Sequence, residues 1–162
     1  MVRNLGDLGI NLQKIITRLT TNQDLLKLLY YTGKDPLNEP DLTSEQIKEE
    51  VFEKLIKIVP RVGPKETAQS LVSLRVVRGI TNPQNSEFRD FSLGIEVFVP
   101  LTQWIIKDSS LRPFRIMGEI QKSLNGKNVN GLGKIVGGDF SLNFLTEEIS
   151  CYEMTFEIVD YE

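Results

Sequence analysis

The 162-residue chain contains no histidine. Histidine is the usual general base near neutral pH and a common metal ligand, so Ser-His-Asp, Cys-His and histidine–metal chemistries are excluded. There is one cysteine, Cys151, which cannot close an internal disulfide and fits a reducing compartment. It lies in an alternating apolar stretch and reads as a packed side chain rather than a nucleophile. No apolar run approaches the roughly 18 residues of a membrane span, and residues 1–11 lack the continuous hydrophobic region of a signal peptide. The expectation is a soluble protein, made in the cytoplasm, with no membrane partner. Any enzyme here would depend on carboxylates, Lys, Tyr or Cys151, and no such set has the spacing of a known active site. No catalytic, cofactor-binding or metal-binding residue is therefore expected.

What is present suits one folded domain over residues 1–162, with 40% hydrophobic and 25% charged residues. The net charge of −3 is unevenly spread. Residues 1–68 hold ten basic and ten acidic side chains, residues 69–144 nine and six, and residues 145–162 none and six. A terminal segment with acids and no base is ill suited to gripping phosphate.

Residues 1–68 read as mainly helical. Leu8, Leu12, Ile15, Ile16 and Leu19 form one amphipathic stripe, and Asn22 is placed to cap a second helix through Leu25, Leu26, Leu28 and Leu29. The stretch Thr32–Leu42, with Gly33, Pro36 and Pro40, reads as a loop long enough to suggest a contact outside the subunit. Thr43 or Ser44 then caps a third helix. Its buried stripe is Ile47, Val51, Phe52, Leu55, Ile56 and Ile58, and Glu50–Lys54 and Glu53–Lys57 are i,i+4 pairs on the solvated face.

From residue 69 onward the period changes to two. Val72, Leu74 and Val76 alternate with polar positions, as do Phe91, Leu93, Ile95, Val97 and Val99. An antiparallel register pairing Val76 with Ile95 and Leu74 with Val97 sets Arg75 opposite Glu96; a slip of two residues would keep the faces. The polar connection 81–87 is too long for a tight turn and reads as a projecting loop. Pro113 suits a helix first turn, and Phe114, Met117, Ile120 and Leu124 continue a stripe that Asn125-Gly126 ends. Trp104, Ile105 and Ile106 anchor this crossover; as a base-stacking platform Trp104 lacks a second aromatic and a basic groove. Gly131-Leu132-Gly133-Lys134 resembles part of a phosphate loop, but Ile135 stands where Ser or Thr is required, so a bulged edge strand or hairpin is expected. Asp139–Phe144 alternates and can pair with the last strand. In that strand Tyr152, Met154, Phe156 and Ile158 face the helices, and Glu153 and Glu157 lie on an acidic opposite face.

These elements predict an α+β domain with an antiparallel sheet of about four strands and helices packed on one face. Helices, a hairpin with a long tip loop, a crossover helix on Arg112-Pro113-Phe114, a glycine-rich return and an alternating last strand together resemble the tail terminator and tail-to-head joining proteins of tailed bacteriophages. The resemblance spans the chain from Leu42 onward.

The resemblance implies a structural virion protein of the neck, without catalysis. It implies a homo-oligomeric ring of about six subunits that ends the tail tube and joins it to the capsid connector. Its partners would be further copies of itself, the tail tube protein and the connector proteins, and DNA would pass through without specific binding. On that reading Asn82, Pro83, Gln84, Asn85, Asp35 and Pro36 are candidate inter-subunit or ring–ring contacts, and Glu153 and Glu157 are candidate lumen-facing acids that repel passing DNA. The alternatives are another neck protein, such as a head-side adaptor or stopper, and a monomeric cytoplasmic binding domain.

Overall fold

The computed structural model describes residues 5–58, 69–81, 83–84 and 89–159. Its helices are α1 (Leu8–Leu19), α2 (Gln23–Tyr30), the single turn α3 (Ser44–Gln46) and α4 (Arg112–Leu124). Its strands are β1 (Ile56–Ile58), β2 (Leu71–Thr81), β3 (Arg89–Pro100), β4 (Asn128–Val129), β5 (Gly133–Leu145) and β6 (Ile149–Val159). Among the described residues these six strands form one sheet in the order β1-β2-β3-β6-β5-β4. The α+β class stands, but the sheet is larger than the expected four strands and is mixed, because β1 runs parallel to β2.

The apolar stripes of α1, α2 and α4 pack on one face of the sheet and build the main core with Val72, Leu74, Leu93, Ile95, Val97, Met154 and Phe156. Asn22 caps α2 as expected, accepting from Leu25 N at 3.1 Å. Its amide also donates to Glu119 Oε2 and Ser123 Oγ, each at 3.0 Å, so the cap ties α2 to α4.

The third helix is much shorter than predicted. The Thr43/Gln46 capping box forms, but the chain widens into a π turn over Ile47–Val51, and Glu53 takes a φ of 61°. Ile56–Ile58 then becomes β1. The physical reason is the width of the apolar pattern. In a helix, Ile56 and Ile58 would lie about 200° apart and one would face water, whereas in a strand they share a face. The strand also gains ladder bonds, with Val72 N donating to Leu55 O at 2.8 Å. The Glu50–Lys54 pair survives on the surface at 3.6 Å.

The β2–β3 register is shifted by two residues from the predicted one. Leu74 lies opposite Ile95 and Val72 opposite Val97, so Arg75 faces Gly94 and Glu96 faces Ser73. Both registers bury the same side chains, and the space over Gly94 accounts for the observed one. A Cβ there would lie 2.6 Å from Glu153 Oε1 and 2.8 Å from Val77 Cγ2. Arg75 uses this gap to reach β6, placing Nη2 2.8 Å from Glu153 Oε1 and 3.0 Å from Glu96 Oε1.

Two bulges shape β5. Ile135 and Phe140 are five positions apart, which in a regular strand would put them on opposite faces. An irregularity at Gly138 restores both to the helix side, opposite Ile158 and Met154. A second at Asn143 lets Leu142 pair with Tyr152 and then turns Phe144 onto the other face, opposite Cys151. The far face is therefore not simply acidic. One end of it holds a second buried cluster of Leu71, Phe98, Ile149 and Cys151, with Phe144 5.8 Å from Phe98.

Candidate functional site

Among the described residues, the sheet's two outer strands cover only part of their neighbours. Within the described residues β1 pairs with β2 only at 72–74, and β4 pairs with β5 only at 133–134. Beyond those ladders, β2 through Thr81 and β5 through Leu145 have no described strand on their outer sides. The open stretches lie at diagonally opposite corners of the sheet, since β1 flanks the start of β2 and β4 flanks the start of the antiparallel β5. An uncovered edge presents backbone donors and acceptors ready to pair with another chain.

Exposed apolar side chains accompany both edges. Val77 and Ile80 project from β2, and Phe140, Leu142, Phe144 and Leu145 from β5. Next to the β5 edge, on the helix side, lies an aromatic group. Phe114 is 5.9 Å from Phe140 and 5.4 Å from Tyr152, and Tyr152 is 6.4 Å from Trp104. Trp104 thus has the aromatic neighbours that its place in the sequence concealed. They come from α4, β5 and β6 and gather around Tyr152, which is also 6.2 Å from Phe140.

On the opposite face the two predicted acids differ. Glu157 is exposed and accepts from Ser92 Oγ at 2.8 Å. Glu153 is only partly exposed and is held by Arg75. Glu96, behind it, is buried, and burial raises its pKa despite the Arg75 guanidinium and the Asn143 amide 2.9 Å away. Burial likewise pushes the Cys151 thiol up to about 12, aided by the nearby Glu96 charge, so the group is protonated near neutral pH and a poor nucleophile.

The predicted contact loops separate in the same way. In the tip loop between β2 and β3, Pro83 and Gln84 are exposed, while Asn82 and Asn85 lie outside the described residues. In the 32–42 loop, Pro36 is buried and opens a short 3-10 turn. Asp35 accepts from Asn38 at 2.9 Å and pairs with Lys107 at 2.8 Å, and these two contacts lower its pKa. Lys34–Asn38 and Ile106–Asp108 border an open groove of about 460 Å³. The loop is thus fastened to the crossover segment, and its outward side is that groove.

Arg112, quoted above only as part of the crossover helix, is the fastening point. It is fully buried, and burial lowers its pKa. Its guanidinium donates to the carbonyls of Leu28 (2.7 Å), Tyr31 (2.9 Å), Gly33 (2.6 Å) and Gln103 (2.8 Å). These include the last carbonyls of α2, where a cation is favoured by the helix dipole. The glycine-rich return also has a packing explanation. The α1 side chains Asn11 and Lys14 bind the carbonyls of Gly131 and Asn130 at 3.2 and 2.7 Å. A Cβ at Gly131 would lie 2.7 Å from Asn11 Oδ1.

Among the described residues, no group of three or more His, Cys, Asp or Glu is placed to hold a metal, and no helix is long and apolar enough to cross a membrane. The features in hand define an α+β protein whose long strands β2 and β5 carry exposed apolar side chains along sides that no described strand fully covers. The chain belongs to the YomW family, whose model matches residues 22–158, from the α2 cap to the end of β6. That family is phage-derived, which places the chain among phage proteins. A search of the curated proteins finds no match.

Proposed function

We propose that this chain is a structural protein of a tailed-phage particle, forming a ring at the head–tail junction that terminates the tail tube and joins it to the capsid connector. The observation that carries the reading is that β2 and β5, at the two ends of the sheet, have no described strand on their outer sides beyond 72–74 and 133–134. Two different surfaces on the same subunit suit a heterologous interface, which closes into a ring when the rotation between neighbours allows. The phage-derived family supports the particle context. The work assigned to the protein is assembly, with no chemical step. Glu157, exposed on the helix-free face, would add negative charge to a passage for DNA, whereas Glu153 is largely neutralised by Arg75.

Light scattering across a concentration series, followed by imaging of any large species, tests the proposal. A closed ring of about six subunits supports a terminator, and about twelve would instead indicate a head-side adaptor. A monomer that caps purified tail tubes would place ring formation on the partner. A strict monomer that binds no tube would overturn the proposal in favour of a small binding domain.

A further inference from the structure

Going beyond the ring reading and independent of it, we propose that the groove between the 32–42 loop and the crossover segment is a docking site. Its occupant is an extended segment of another protein, carrying a carboxylate between apolar side chains.

Two hollows meet at Lys34. The groove bordered by Lys34–Asn38 and Ile106–Asp108 adjoins a second of about 420 Å³, lined by Lys34, Leu101, Thr102, Trp104 and Ile105. Lys34 lines both, so they form one furrow with the lysine between them. Apolar surface lies to either side, with Pro36, Leu37 and Ile106 at one end and Leu101, Trp104 and Ile105 at the other. Ile105 is 59% exposed and Leu101 36%. An open furrow of this kind suits a chain passing along it better than a small molecule, whose sites enclose most of its surface.

The charges in the furrow select the occupant. Lys107 pairs with Asp35 at 2.8 Å, while Asp108 accepts from Ser110 N at 3.0 Å and pairs with Arg115 at 3.5 Å. Lys34 is exposed and is the charged side chain of the furrow with no side-chain partner among the described residues. It is the group left to receive a carboxylate from outside. Asp35 and Asp108 nearby would repel the continuous phosphates of a nucleic acid, whereas a single carboxylate needs only the lysine.

The furrow is also preformed. Arg112 Nη2 donates to Gly33 O at 2.6 Å, Lys107 N to Lys34 O at 2.6 Å and Arg112 N to Trp104 O at 2.8 Å. These bonds hold the backbone of both walls, so binding has to order only the incoming segment.

The probe is a capped peptide with glutamate at the centre of alternating leucine and threonine, tested beside glutamine-centred and lysine-centred versions. Trp104, the chain's single tryptophan, reports occupancy by its fluorescence. The wild type should bind the glutamate peptide about fivefold more tightly than the glutamine one, as a single exposed ion pair provides. Lys34→Glu, its fold checked by circular dichroism and urea midpoint, should reverse the order and prefer the lysine peptide. Ile105→Asp should weaken binding of all three. Absence of binding to the wild type, equal binding of the glutamate and glutamine peptides, or an order unchanged by Lys34→Glu overturns the proposal. A Trp104 signal that changes with protein concentration alone overturns it in favour of a second copy. The peptide results leave the ring untouched, since light scattering decides that.

Discussion

At the scale of single residues, stability is concentrated where polar groups are buried. Arg112 satisfies four carbonyls, and its bonds to those of Leu28 and Gln103 are buried. Arg112→Met would relieve the buried charge but strand those carbonyls, and each unsatisfied buried group costs about 1–3 kcal/mol. The expected net loss is about 2–4 kcal/mol in urea unfolding, and a loss within about 0.5 kcal/mol would contradict the clamp. Glu96 gives a pH signature. Its folded pKa is raised above the ordinary glutamate value, chiefly by burial. The folded state therefore holds its proton more tightly than the unfolded state. This contribution to stability is full below the unfolded pKa and is lost as pH rises through the folded one. Urea midpoints for Glu96→Gln and wild type, measured from about pH 4 upward, should diverge in favour of the variant across that window and then run parallel. A difference independent of pH would contradict the assignment. Neither role was legible in the sequence. Arg112 looked like one more charged residue at a helix start, and Glu96 like the surface partner of Arg75, because burial depends on packing between distant segments.

At the scale of elements, local signals carried well where one pattern had one solution. The stripes of α1, α2 and α4, the Asn22 cap and the faces of β2, β3 and β6 were readable from periodicity alone. Residues 44–58 were not, since Ile47, Val51, Leu55 and Ile58 satisfy a helical spacing while Ile56 and Ile58 satisfy a strand. The choice was made by the uncovered start of β2, a tertiary contact that outweighs helix propensity. The glycine-rich return reads as a bulged edge strand or hairpin without locating the two bulges of β5, although the five-residue spacing of Ile135 and Phe140 encodes one of them. Gly137, beside that bulge, has φ +122°, and a Cβ would lie 2.9 Å from Thr155 O and 3.3 Å from Phe156 Cα. Because backbone on β6 cannot easily yield, Gly137→Ala should cost about 2–3 kcal/mol. Thermal unfolding of the variant checks this, and a neutral substitution would mean that β5 can slide relative to β6.

At the scale of the whole molecule, the functional surface was the least legible part. The tip loop and the 32–42 loop drew attention as long connectors, yet Pro36 is buried and Asp35 is engaged within the subunit. The partly covered edges emerge only from strand order, because among the described residues β1 and β4 flank only part of β2 and β5. The aromatic group around Tyr152 is assembled by the same pairing. Edge pairing makes a direct physical prediction, since backbone amides that join a ladder become protected from exchange. Amide hydrogen exchange, compared between dilute monomer and assembled protein, is the measurement that tests the account most directly. Edge pairing predicts that residues 139–145, with no described strand on their outer side, gain protection on assembly, with little change in α1 and α2. Assembled particles in which that stretch exchanges as fast as in the monomer would contradict it.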